Sequence, residues 1–350
     1  MAVAGRARRD RRTSQHAWLH WGRRAKRVFL GDVELRGSTT LADIGAADCS
    51  DLTVVASPSP LVASGSQDGL VRIWSAASGR CLRTLQGHRG PVRSVGFSPD
   101  GQLVLTASED CTCRLWCSAS GECLRTLEGH RDWVRSAAFS PDGQEVLTAS
   151  DDRTATVWCA ATGECSRSLV GHRRAVMSAV FSGDGREVLT ASDDGTARIW
   201  SAAAGHSLRT LEGHRGFVKS AVFSPVGREV LTASSDGTAK IWSASSGECL
   251  RSLEGHKDVV RCAVFSPDGR EVLTGSDDMT AKVWSAAAAD CLRTLEGHSS
   301  FVLCASFSPD GQTVLTGSAD GTSQIWSAAS GECLRTLSGC LRSAPPPSRR

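Results

Sequence analysis

The chain has 350 residues, of which 40% are hydrophobic and 22% charged, and a net charge of +3, the balance of an ordinary globular protein rather than a disordered or collagen-like one. Its apolar residues come in short runs, far below the roughly 20 that a membrane-spanning helix needs. The start, MAVAGRARRDRR, carries charge with no apolar stretch behind it, which argues against a secretory signal.

Taken in chain order, the first element is a basic arm over residues 1–45. Residues 1–36 hold ten Lys/Arg against Asp10, Asp32 and Glu34, a local charge of +7 that leaves −4 for the remainder. Such an arm can be a solvated leader, a nucleic-acid or anionic-surface contact, or an organelle transit peptide. Overlapping its end and the array that follows, Gly31, Glu34-Leu35, Thr40-Leu41-Ala42-Asp43, Ile44-Gly45 and a final apolar run Leu52–Val55 resemble the second half of a ubiquitin-like domain. Only 27 residues precede Val28, too few for the front half of that fold, so the resemblance implies a truncated remnant over 28–55. Leu52–Ala56 is claimed more strongly by the array that follows, because leaving it out would expose an unpaired strand edge.

From Trp74 to Trp326 a tryptophan recurs every 42 residues, with an aspartate six residues before each one. From Trp116 onward a Gly-His pair stands 28 residues before each tryptophan. A fixed period of about 20–50 residues marks a repeat architecture. The unit that carries the fourth tryptophan reads as four short strands. Ala175–Phe181 is apolar and closes on Gly183-Asp184-Gly185, and Glu187–Ser192 closes on Asp193-Asp194-Gly195. Thr196–Trp200 alternates as a strand does, and Ser207–Leu211 follows a small-residue turn.

Gly-His, then F-S-P-D-G, S-x-D-G-T and tryptophan resemble the WD40 repeat. The resemblance implies an all-β, seven-bladed β-propeller over residues 46–338, each blade a four-stranded antiparallel sheet. The aspartate usual after the tryptophan is replaced by Ser75, Cys117, Cys159, Ser201, Ser243, Ser285 and Ser327, a tolerant position in that family. The ends are irregular: Ala46 stands where the first histidine would fall, and Gly339-Cys340 opens a Pro-rich tail, residues 339–350, expected to be disordered.

His, Ser/Thr and Asp in every unit are also the ingredients of a hydrolase triad. The family resemblance implies instead a buried hydrogen-bonded tetrad in each blade from the second to the seventh. These are His88, Thr106, Asp110 and Trp116; His130, Thr148, Asp152 and Trp158; His172, Thr190, Asp194 and Trp200. They continue as His214, Thr232, Asp236 and Trp242; His256, Thr274, Asp278 and Trp284; His298, Thr316, Asp320 and Trp326. Six copies speak for scaffold, since an active site needs one set in one cleft. No catalytic residue, cofactor or metal is therefore expected.

Of the 14 cysteines, six lie seven residues after a repeat tryptophan, one structural unit apart and beyond disulfide reach. Cys111, Cys113 and Cys117 fall in one hairpin with no second ligand pair at zinc spacing. Unpaired thiols point to a reducing, intracellular compartment, cytoplasmic or nuclear, with organelle targeting by the Arg-rich start left open. A repeating outer-strand arginine, from Arg83 to Arg335, reads as a solvated strand face.

Function is expected where the repeats differ. Trp133, Arg174, Phe217 and Phe301 stand in the varied loops after the histidines. Arg93, Arg135, Lys219 and Arg261 stand five residues after theirs, at the mouth of the channel. Aromatics and cations on one rigid face suit proteins or peptides, acidic or phosphorylated ones in particular. The expected function is a non-catalytic scaffold or adaptor in a multiprotein complex. The alternatives are nucleic-acid association through the basic arm, and a regulatory propeller cut from a larger signalling enzyme.

Overall fold

A computed structural model describes residues 61–338, except 76, 77 and 79, and the backbone of four short strands before them. Leu19–Trp21, Val28–Leu30 and Val33–Leu35 form a separate three-stranded antiparallel sheet. Thr53–Ala56 pairs with Leu61–Gly65 as the first strand of the first blade. The rest of the basic arm, most of the 28–55 segment and the tail lie outside the described residues.

The array is a seven-bladed propeller of four-stranded antiparallel sheets, each blade built from consecutive strands joined by hairpins. In the fourth blade these are Val176–Phe181, Glu187–Ser192, Ala197–Ser201 and Ser207–Leu211. Hairpin connection makes every pairing local, so register follows from turn length and from the apolar face each strand must bury. The second strand reads EVLTAS in the third, fourth and fifth blades alike. Among the described residues no helix is long and apolar enough to cross a membrane.

The core lies between blades rather than within one. Trp200 of the fourth blade is buried with Val176, Ala179 and Val188 of its own blade against Leu147, Val157 and Leu169 of the third. The same arrangement recurs at the first-to-second, second-to-third, fourth-to-fifth, fifth-to-sixth and sixth-to-seventh joints. An indole buries on the order of 200 Å², so each such tryptophan contributes at most about 5 kcal/mol of burial free energy.

The outer-strand arginines from Arg125 to Arg293 are not merely a solvated face. Arg209 Nε donates at 2.5 Å to the carbonyl oxygen of Ser245 in the next blade, and Nη1 pairs with Glu187 at 3.3 Å. Arg251 reaches the Ala287 carbonyl and Glu229, and Arg293 reaches the Ala329 carbonyl and Glu271. Arg167 likewise joins the Ala203 carbonyl to Glu145. These arginines staple neighbouring blades on the side away from the Asp-Gly hairpins. Sequence periodicity alone hides that reach, because the acceptor is a main-chain oxygen 36 residues downstream.

A size exchange also runs through the innermost strands. Ser94, Ser136, Ser178 and Ser220 lie opposite Ala107, Ala149, Ala191 and Ala233 in the register. In the sixth and seventh blades Cys262 and Cys304 lie opposite Gly275 and Gly317. A Cβ on Gly317 would fall 2.7 Å from Cys304 Sγ, and one on Gly275 2.9 Å from both Cys262 Sγ and Val302 Cγ1, so the larger thiols sit opposite glycines.

Candidate functional site

The hydrogen-bonded constellations tie the loops after the histidines to the hairpin aspartates. In the fifth blade Trp242 Nε1–H donates to Thr232 Oγ1 at 2.8 Å, and Thr232 Oγ1 lies 2.7 Å from His214 Nε2. His214 Nδ1 lies 2.9 Å from Asp236 Oδ2. Asp236 also accepts the Arg215 amide at 2.9 Å, the Thr238 amide at 3.0 Å and the Thr238 hydroxyl at 2.7 Å. A consistent direction runs through the set: indole to threonine, threonine to Nε2 of a neutral imidazole, and Nδ1–H to carboxylate.

The other five sets repeat this. His-to-Asp contacts are 2.8 Å at His88, 2.7 Å at His130, 2.8 Å at His172, 2.7 Å at His256 and 3.0 Å at His298. His-to-Thr contacts with Thr106, Thr148, Thr190, Thr274 and Thr316 are 2.7–2.8 Å. Trp116, Trp158, Trp200, Trp284 and Trp326 donate to the same threonines at 2.8–2.9 Å.

Burial works to raise the carboxyls of Asp236, Asp278 and Asp320. Their hydroxyl, amide and imidazole donors outweigh it and hold them at about 2. The same balance drives Asp110, Asp152 and Asp194 lower still. Burial lowers His214 and His256 below the ordinary histidine value despite the neighbouring aspartates, keeping the imidazoles neutral. The order Thr–His–Asp imitates a nucleophile with its base, but each threonine is at most 1% exposed and its oxygen also receives an indole proton. Each such oxygen is thus buried and already engaged, unlike the exposed hydroxyl of a nucleophile.

The first blade lacks the set. Trp74 Nε1–H donates to Ser64 Oγ at 2.9 Å, while Asp68 accepts from the Leu70 amide at 2.9 Å and pairs with Arg72 at 3.0 Å. Cys113 and Cys117 stand at opposite ends of one strand, roughly 13 Å apart by strand rise, which is no chelate geometry. The described cysteines are free thiols.

The loops held by the aspartates share one face with the Asp-Gly hairpin tips. The first strand of each blade from the second to the seventh bulges where the register skips one residue, at Arg93, Arg135, Met177, Lys219, Arg261 and Leu303. A bulge re-aims a side chain, and here it turns the cations toward the hairpin tips. Arg93 Nε meets Glu109 at 2.7 Å, Arg135 binds Asp151 through two bonds at 2.8 and 2.6 Å, and Arg261 Nη2 meets Asp277 at 2.8 Å. Lys219 crosses to the preceding blade and pairs with Asp193 at 2.9 Å. The exchange is forced: Met177 leaves Asp193 without a cation in its own blade, and Ser235 stands where the fifth blade would carry the acid.

The aromatics meet the same cations. Arg135 lies 4.9 Å over the Trp133 ring, and Lys219 and Arg174 lie 4.9 and 5.7 Å over Phe217. Arg261 of the sixth blade lies 5.8 Å over Phe301 of the seventh. Trp133, Phe217 and Phe301 remain 40%, 40% and 42% exposed. They occupy the third, fifth and seventh blades, with Ala175 and Val259 at the same position on the fourth and sixth and Pro91 on the second.

Comparison with known proteins follows the same 42-residue unit. The model of the WD domain, G-beta repeat, matches seven times, at residues 45–75, 79–117, 121–159, 163–201, 205–243, 247–285 and 289–327. Single-repeat stretches are similar to the nuclear distribution protein PAC1 of Mycosarcoma maydis, 54% identical over 41 residues, 12% of this chain and 9% of that protein. They are also similar to the F-box-like/WD repeat-containing protein TBL1X of Mus musculus, 50% identical over 42 residues, 12% of this chain and 8% of that protein. The guanine nucleotide-binding protein subunit beta of Oryza sativa subsp. japonica is 44% identical over 57 residues, 16% of this chain and 15% of that protein. Seven matched repeats, folded as seven four-stranded blades, make this chain a member of the WD40-repeat family of β-propellers.

Proposed function

We propose that the chain is a non-catalytic scaffold that docks protein segments on the loop face carrying Trp133, Phe217 and Phe301. The observation that carries this reading is the alternation itself: three large rings left 40–42% exposed, on blades that alternate with blades carrying smaller residues at the same position. Exposed rings flanked by cations on a rigid frame have the make-up of interface anchors. The cations favour acidic or phosphorylated segments. Unpaired surface thiols such as Cys81 and Cys249 support a reducing compartment, cytoplasm or nucleus.

The test replaces Trp133, Phe217 and Phe301 together by serine in the full chain and compares proximity-labelled partners with those of the parent. Loss of a defined partner set at unchanged thermal stability is the expected result. Retention of every partner rejects the reading. Binding through the basic arm would instead vanish on deletion of residues 1–45 and fall steeply with salt.

A further inference from the structure

Two residues before its tryptophan, every blade but the third carries a long polar side chain: arginine in the first, second and fourth, lysine in the fifth and sixth, glutamine in the seventh. Residues two apart on a strand point the same way, so this side chain lies beside the indole. Arg114 and Arg198 place Cζ 5.9 Å from the ring centroids of Trp116 and Trp200. On their other side stands the glycine of the Gly-His pair. A Cβ on Gly87 would fall 2.6 Å from Arg114 Nη1 and 3.1 Å from Trp116 Cη2, and one on Gly171 2.9 Å from Arg198 Nη1 and 3.2 Å from Trp200 Cη2. The fold thus builds a slot for a flat cation between an indole and a bare main chain, and fills it from within.

The third blade has the slot without the filling. Thr156 stands where both neighbouring blades have arginine, and a Cβ on Gly129 would meet only Trp158 within 4 Å. The result is a cleft of about 380 Å³, with Glu128, Arg131, Thr156, Trp158 and Ser168 on its lining. That size suits a long side chain or a small ligand. The acid at its edge is new as well. Glu128 precedes Gly129 where Gln86 and Val170 stand in the arginine-filled second and fourth blades, and the other carboxylate of the cleft, Asp152, is bound to His130. In those two blades the buried Nε of Arg114 and of Arg198 has no hydrogen-bond partner, so ring and shape hold the guanidinium. The third blade adds a carboxylate to both.

We propose that this cleft receives a guanidinium group, presented by an arginine side chain of a partner protein. Its chemistry is displayed by Arg114 and Arg198 in the equivalent slots on either side. A guanidinium is planar, weakly hydrated and stacks on aromatic rings. The ammonium groups of Lys240 and Lys282 turn instead to the hydroxyls of Ser252 and Thr294, at 3.1 and 2.9 Å. Glu128 can meet the guanidinium fork with paired acceptors. The walls favour a protein source. Cys165 and Ser168 are exposed on the outer strand Cys165–Val170 and line the cleft, so a main chain can run along the rim while one long side chain enters. None of the exposed rings of the loop face lines the cleft, so it is a second site that does not depend on that reading.

The test follows the indole N–H signal of Trp158 in the full chain by nuclear magnetic resonance, the signal being identified by its displacement in Thr156→Arg. The probes are short glycine-flanked peptides with a central arginine, its neutral isostere citrulline, or lysine, and the free guanidine agmatine. The arginine peptide is expected to shift the signal saturably, in roughly the millimolar range, and the citrulline peptide to bind about tenfold or more weakly. Glu128→Gln is expected to weaken the arginine peptide about two- to fivefold. Thr156→Arg supplies the side chain of the flanking blades, and is expected to abolish binding without lowering the melting temperature.

Equal binding of the arginine and citrulline peptides, binding undiminished in Thr156→Arg, or no shift with any probe overturns the inference. A lysine peptide bound as tightly as the arginine peptide overturns the choice of guanidinium. Agmatine bound more tightly than the arginine peptide overturns the protein source and assigns the cleft to a free guanidine. Should Thr156→Arg unfold, the citrulline and Glu128→Gln comparisons still decide. Replacing Trp133, Phe217 and Phe301 by serine is expected to leave the affinity for the arginine peptide unchanged, which separates this cleft from the docking face.

Discussion

Replacing Asp236 by alanine removes the acceptor of four donors at once: His214 Nδ1–H, the Arg215 and Thr238 amides and the Thr238 hydroxyl. A hydrogen bond to a charged group contributes about 1.5–3 kcal/mol, and a donor left buried without a partner costs a similar amount. The side chain is 12% exposed at the blade rim, where water can take over part of the loss. A net cost of about 2–4 kcal/mol follows, which in a domain of roughly 300 residues lowers the melting temperature by ~3–7 °C. The matched control is Asp68→Ala, at the same repeat position but 45% exposed and without a histidine, with a cost under about 1 kcal/mol. Thermal and urea melts of both variants give the comparison, and amide exchange of Arg215 and Thr238 should speed up in the first. Equal losses, or no loss at Asp236, would refute the strut role of the constellation.

Arg209→Ala should cost about 1 kcal/mol, with Arg209→Lys failing to restore it because an ammonium lacks the fork that serves both Ser245 and Glu187. A urea midpoint equal to the parent's would remove the staple. Met279 sits at φ 69°, so Met279→Gly should raise stability by roughly 1 kcal/mol, and a lower melting temperature would contradict this. Gly275→Ala should destabilise by about 1–3 kcal/mol through its contact with Cys262, and Cys262→Ser should recover part of it. Strict additivity of the two would deny the size exchange. Acid should destabilise in two stages. The lowered His214 and His256 make the unfolded chain take up protons first, so their contribution is complete above about pH 6.5 and declines as pH falls through their folded values. Asp236, Asp278 and Asp320, held at about 2 against 3.8, then withdraw theirs between those values. A melting temperature that climbs from pH 7 to pH 5 would reverse the sign.

What could be read from the residues is what lies within one repeat. Four strands per unit and their hairpin tips depend on turns a few residues long, so spacing along the chain becomes spacing in space, whereas the grouping of His214, Thr232, Asp236 and Trp242 is what the WD40 resemblance implies. What could not be read crosses from one blade to the next. Arg209 seeking the Ser245 carbonyl, and Lys219 serving Asp193, depend on the angle and offset between sheets, which periodicity does not encode. The bulge at Arg135 was also invisible, because one skipped residue leaves no mark on an apolar strand. Yet the misfit of Met177 and Ser235 was a signal in plain view: a missing cation beside a missing acid, one repeat apart.

The three identical EVLTAS strands bear on how the ring assembles. Any first strand could pair with any of them at nearly the same energy, so the final contacts cannot by themselves select the right partner. Selection falls to speed. A strand meets the neighbour across a short turn long before it meets a distant twin. The brief hairpins therefore act as proofreading devices for a chain whose side chains scarcely distinguish one blade from another.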